Sequence, residues 1–144
     1  MKARWIVALL LTAFTGVAAA QQGQVPTTAT ALGSVRIPRA VKADGKDLKA
    51  GTYQVRLTAE EAAPVVPGIK MERWVEFVQG GKVAGREVVS IIPADEVKDT
   101  QPGPDLPGKA PRAGTRVDML KGNEYLRVWI TRGGVQYLIH MPPA

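Results

Sequence analysis

From Gly33 onward, apolar and polar positions alternate in short runs separated by glycine and proline, a period of two that puts successive side chains on opposite faces of a strand. The clearest run is 52–58. There Tyr53, Val55 and Leu57 share one face and Thr52, Gln54, Arg56 and Thr58 the other, so one face is predicted buried and one wet. Residues 34–37 predict an opening strand ended by Pro38, and 41–43 a second that runs into the turn dipeptide Asp44-Gly45. Residues 58–63 predict a single helical turn capped by Thr58, with Glu61 three residues on and Pro64 and Pro67 stopping its growth. Residues 73–79 and 82–92 predict a hairpin about Gly80-Gly81. Its register is open: a two-residue turn pairs Phe77 with Ala84, a three-residue loop pairs Glu76 with Arg86 and Trp74 with Val88, and a bulge at Gly85 mixes the two. Opposite charges facing each other favour the second pairing.

The last hairpin is the most tightly determined. With Gly133-Gly134 as a two-residue turn, counting outward pairs Arg132 with Val135, Ile130 with Tyr137, Val128 with Ile139 and Leu126 with Met141 on one face. The other face then carries Thr131 with Gln136, Trp129 with Leu138 and Arg127 with His140. One register sorts every position into an apolar face and a mixed face. Residues 115–120, followed by Gly122-Asn123, extend the hairpin into a three-stranded meander.

Upstream of these strands, Lys2 and Arg4 precede an apolar run from Trp5 to Phe14, and Ala18-Ala19-Ala20 precedes Gln21. That order is a bacterial-type secretory signal peptide over 1–20, too short in its apolar part to cross a hydrocarbon core of roughly 30 Å. The expected mature chain is exported, periplasmic or extracellular, without a transmembrane segment. It begins with a flexible leader at 21–32 and continues as one domain at 33–144. Residues 93–114 hold five of the eleven prolines and no aromatic residue, which predicts a long mobile loop. The fold class expected is all-β: a single antiparallel β-sandwich or partly open barrel of six to eight short strands, with little helix beyond the signal peptide.

The absence of cysteine means that the core alone holds the fold, and it excludes a lipid-modified cysteine, thiolate metal ligands and a thiol nucleophile. The formal charge of +6 includes Lys2 and Arg4, and the remaining excess is mild and interspersed, as in Lys46-Asp47, Glu72-Arg73 and Arg86-Glu87. A mixed solvated surface follows, not a polyanion site, and no basic stripe with stacking aromatics suggests nucleic acid.

Val35-Arg36-Ile37-Pro38, then Asp44-Gly45-Lys46, then Leu48-Lys49-Ala50-Gly51-Thr52-Tyr53-Gln54-Val55 resembles a pattern of small, largely uncharacterised exported bacterial β-domain proteins. In those, an apolar-x-Ile-Pro strand and a glycine turn lead to Leu-Pro-Ala-Gly-x-Tyr-x-Val. Lys49 replaces the proline usual there. The resemblance implies a sandwich or barrel and supplies no activity.

Candidate chemistry is sparse. His140 is the sole histidine, and neither serine, Ser34 or Ser90, sits in a Gly-x-Ser-x-Gly elbow, so no catalytic residue is assigned. Asp95, Glu96, Asp99 and Asp105 lack the spacing of a calcium loop, and no metal site or cofactor is expected. Trp129, Arg127 and His140 on the mixed face, with Trp74 on the corresponding face of the other hairpin, are the candidate binding residues. In a sandwich that face would instead be interior. The leading reading is a non-enzymatic exported binding or scaffold module whose partner is an envelope polysaccharide or another exported protein. The second is a small hydrolase or small-ligand-binding barrel with a dispersed site, marked by a deep polar pocket that holds two carboxylates or His140.

Overall fold

The computed structural model describes residues 24–62, 71–94, 96 and 113–144. Residues 1–20, expected to be a signal peptide, and most of 93–114, expected to be a mobile loop, lie outside the described residues. Nine strands occur among the described ones: β1 Thr30–Ile37, β2 Val41–Ala43, β3 Lys46–Leu48, β4 Gly51–Glu61, β5 Glu72–Gln79, β6 Lys82–Ile92, β7 Gly114–Met119, β8 Leu126–Arg132 and β9 Val135–Met141. Seven form one antiparallel sheet in the order β1-β4-β5-β6-β9-β8-β7, and β2 pairs with β3 as a separate hairpin.

The sheet curls until its two edges, β1 and β7, lie side by side, so the fold is a partly open barrel and not a sandwich. Parity explains why it stays partly open. Seven strands, each antiparallel to its neighbour, leave β1 and β7 pointing the same way, and a closing ladder would have to be parallel. At the seam a side chain substitutes for the ladder, with the Thr115 hydroxyl donating to the Ser34 carbonyl at 3.4 Å.

The interior is filled by the inward row of every strand. Tyr137, Phe77, Ile37, Leu57, Ile130 and Ile139 are among its fully buried side chains. Tyr53 meets Phe77 edge to face at 6.2 Å between centroids, and its hydroxyl donates to the Lys49 carbonyl at 2.6 Å. One end of the barrel is plugged by the β2–β3 hairpin, whose Val41, Ala43 and Leu48 join the core. Gly85 admits this plug, since a Cβ there would stand 3.3 Å from the Ala43 Cβ. The C-terminal residues pin it, through Lys42 N–H donating to the Pro142 carbonyl at 2.7 Å and Ala144 N–H to the Ala40 carbonyl at 3.2 Å.

The last hairpin has the register counted from Gly133-Gly134 at every position from Arg132↔Val135 to Leu126↔Met141. Both glycines have positive φ, 60° and 79°, as the tight turn matched to strand twist requires. The β5–β6 hairpin combines the two registers weighed for it. A two-residue turn pairs Gln79 with Lys82 and Val78 with Val83. Ala84 is then passed over as a bulge, and Phe77 meets Gly85, Glu76 meets Arg86 and Trp74 meets Val88.

Two expectations are corrected. β1 begins at Thr30, four residues early, because Leu32 is buried in the core within the segment expected to be a flexible leader. Residues 58–61 are strand, not a helical turn. The Thr58 hydroxyl does accept from the Glu60 N–H at 3.2 Å, the local bond a cap would make, but it also donates to the Trp74 carbonyl at 2.8 Å. Pairing with β5, resumed at Glu61↔Arg73 after an irregularity, overrides the short helical signal.

Candidate functional site

Trp74, Arg127, Trp129 and His140 all lie on the outer surface of the barrel. On β5, β6, β9 and β8 the inward row takes Val75, Val89, Ile139 and Val128, so the alternate residues point out. Trp74 pairs with Val88, and His140 with Arg127. Extending the β6–β9 register by one residue from Val89↔Ile139 sets Val88 beside His140. The row Trp74, Val88, His140, Arg127, Asp118 therefore crosses five neighbouring strands, with Trp74 and His140 about 10 Å apart at a strand spacing of about 4.8 Å. The adjacent row runs Glu72, Ser90, Leu138, Trp129, Arg116.

Both indole rings carry this chain's own guanidinium groups. Arg86 lies 3.9 Å from the Trp74 ring centroid, while Arg127 and Arg116 lie 5.3 and 5.8 Å from that of Trp129. Tyr125 meets His140 edge to face at 6.3 Å. The cations are matched by carboxylates: Arg86 by Glu60 at 3.4 Å and Asp44 at 3.7 Å, Arg116 by Asp118 at 3.0 Å, Arg127 by the same Asp118 at 3.9 Å. The face is rich in charge and nearly neutral, unlike a polyanion site.

Trp129 is 8% exposed and Gln136 6%, although both point away from the barrel core. Among the described residues the buried polar atoms Arg127 Nε, Trp129 Nε1 and Gln136 Oε1 have no hydrogen-bond partner. Three unsatisfied groups clustered on one face are uncommon, because each costs roughly 1–3 kcal/mol of desolvation.

His140 is held below the ordinary histidine value, first by desolvation and then by the nearby Arg127 charge. Because the folded chain binds this proton less tightly than the unfolded one, the unfolded state takes it up first as pH falls through 6.5. The His140 contribution to stability is therefore present above that value and is lost toward the lower folded value. An NMR titration of the ring should show a midpoint below 6.5, rising only part of the way back in Arg127→Ala. Full recovery would make charge, not burial, the main cause.

Among the described residues His140, Ser34 and Ser90 do not assemble a catalytic triad. His140 makes no hydrogen bond to Ser34 or Ser90 among the described residues, and Ser90, though on the same outer face, pairs with Glu72 and Leu138. Among the described residues no three ligating side chains cluster, and Asp95, Asp99 and Asp105 lie outside them. Among the described residues, Trp74, Arg127, Trp129 and His140 line neither the cavity beside Val25, Ala62 and Arg73 at one end of the barrel nor the one beside Ala43, Asp44 and Arg86 at the other.

Sequence reasoning placed the four candidate residues on one surface but missed Arg86, Arg116, Tyr125 and Gln136. Counting back through Gly122-Asn123 would have set Arg116 beside Trp129, and the bulged register sets Arg86 beside Glu76 and within reach of Trp74. The burial of Gln136 has no local sequence signal. No family model matches the chain, and neither a search of curated proteins nor one of solved structures returns a match.

Proposed function

We propose that this chain is an exported, non-enzymatic β-barrel domain that binds a protein partner through the outer face of β5, β6, β9 and β8. Export rests on the order of basic, apolar and small residues over 1–20. The binding reading is carried by one observation: two tryptophan–arginine assemblies share a single outer face, on which Trp74 is half-buried and His140 exposed. Trp, Tyr and Arg are the residues that dominate protein interfaces, where rigid rings supply area and guanidinium groups supply directed donors. A protein partner is favoured over a polysaccharide because sugar rings stack on bare aromatic faces, and here guanidinium groups occupy faces of both indoles. Among the described residues the barrel interior is occupied by large side chains such as Tyr137 and Phe77, which favours this reading over a ligand-binding barrel.

The test is affinity capture from an exported-protein fraction, comparing the wild type, a Trp74→Ala/His140→Ala variant, and a Lys42→Glu variant on the β2–β3 plug. One saturable protein partner, bound at least tenfold more weakly by the face variant and normally by the plug variant, is the expected outcome. Equal capture by all three would remove the face from consideration. Co-sedimentation with envelope polysaccharide that is lost in the face variant would assign a sugar ligand instead.

A further inference from the structure

The backbone groups along the seam between β1 and β7 face each other without pairing. The Ser34 carbonyl accepts from the Thr115 hydroxyl there, so Ser34 turns its backbone groups away from β4, and by alternation along an antiparallel ladder Arg36 does the same. On β7 the Leu120 N–H donates to the Tyr125 carbonyl at 3.0 Å, one step beyond Met119↔Leu126. Asp118 and Arg116 then bond to β8, and Thr115, Val117 and Met119 turn their backbone groups toward β1. Among the described residues no ladder joins these two rows of N–H and C=O groups.

The interior is also less covered at the seam than beside it. Val35, Ile37, Leu126, Val128 and Ile130, inward residues of β1 and β8, are fully buried, whereas Val117 and Met119, inward residues of β7, stay partly exposed although they pack against the core. On the outer rim Arg36 is exposed and makes no ion pair or hydrogen bond among the described residues. Backbone groups, apolar surface and a cation therefore lie along one line. The two edges point the same way, so a single strand antiparallel to both would complete eight strands with every neighbour antiparallel.

We infer that this seam accepts an extended segment of a partner protein as an eighth strand, with alternate apolar residues over Val117 and Met119 and acidic residues outward beside Arg36. Main-chain hydrogen bonds to both edges supply affinity, and the alternating side chains supply selectivity. Entry moves β1 and β7 apart by one strand spacing, about 4.8 Å. Among the described residues, the hydrogen bond given up is the hydroxyl–carbonyl contact of Thr115 and Ser34 at 3.4 Å. The seam lies apart from Trp74 and His140 on the outer face and stands or falls independently of them.

The probe is an end-capped, fluorescein-labelled octapeptide, Glu-Val-Thr-Val-Glu-Val-Thr-Val, titrated into the full chain and followed by anisotropy and hydrogen exchange. Saturable binding is expected, with at least tenfold slower exchange of the Ser34, Arg36, Thr115, Val117 and Met119 amides and no change at those of Trp74 and Val88. A copy N-methylated at every second residue keeps one hydrogen-bonding edge and should bind at least tenfold more weakly. A copy with lysine for glutamate should bind the wild type more weakly than the acidic peptide does, and Arg36→Glu should reverse that preference. Val117→Pro removes a seam-facing N–H that the β8 ladder does not use, a change that edge strands tolerate, and should abolish binding with the fold retained. No saturable binding, equal binding of the N-methylated copy, protection confined to one edge, or a charge preference unmoved by Arg36→Glu would overturn the inference. Concentration-dependent self-association that is lost in Val117→Pro would overturn it in favour of a second copy of this chain at the seam.

Discussion

Ile139→Ala is expected to lower stability by about 2–5 kcal/mol, the cost of emptying a large apolar volume in a packed core. Ile139 is fully buried and stands between Val128 on β8 and Val89 on β6, so neighbours on both sides lose contact and a barrel wall cannot collapse into the void. Arg127→Ala, in the row immediately outside, is expected to cost less than about 1 kcal/mol. Its ion pair with Asp118 is long at 3.9 Å, and its Nε is buried without a partner, so truncation removes a desolvation cost along with the contact over Trp129. Urea denaturation of the two variants is the measurement. Equal destabilisation would mean that the Arg127 row is interior and that the inward and outward faces are exchanged.

The contrast between these two residues also marks how far the sequence alone reaches. Inward and outward rows of β4, β8 and β9 were legible because a period of two and a Gly-Gly turn determine register without knowledge of the rest of the chain. The β6–β9 pairing that closes the wall joins strands separated by residues 93–134, and no local pattern encodes it. Thr58 shows the other limit. Its cap-like hydrogen bond is real, but the ladder to β5 decides the backbone. The four candidate residues were placed on one surface because their own hairpins place them there. The arginines that cover the rings come from neighbouring strands, so the choice between a sugar platform and a protein-binding face depended on tertiary geometry. The end cavity was invisible for the same reason: Val25, Ala62 and Arg73 are distant in sequence, and the segment carrying Val25 reads as a polar leader.

Arg73→Met is the second large effect expected, a loss of about 2–4 kcal/mol together with release of the segment before β1. Arginine in the inward row of a strand is costly to bury, and it is tolerated here because its fork meets carbonyls of two separate segments, Thr58 on β4 and Pro26 and Thr28 before β1. Methionine fills similar volume but donates nothing, leaving three carbonyls to lose hydrogen bonds to a charged donor worth roughly 1.5–3 kcal/mol each, partly offset by relief from burying the cation. Arg73→Lys keeps the charge without the planar fork and should recover less than half of the loss. Hydrogen exchange separates the local from the global effect, since the amides of Ala29 to Ala31 should lose protection more than those of Val128 and Ile139. A neutral or stabilising Arg73→Met would show that the guanidinium is dispensable, as replacement of buried ionic groups by apolar ones sometimes shows. The segment before β1 would then be held by Val25 packing against the core, not by the arginine.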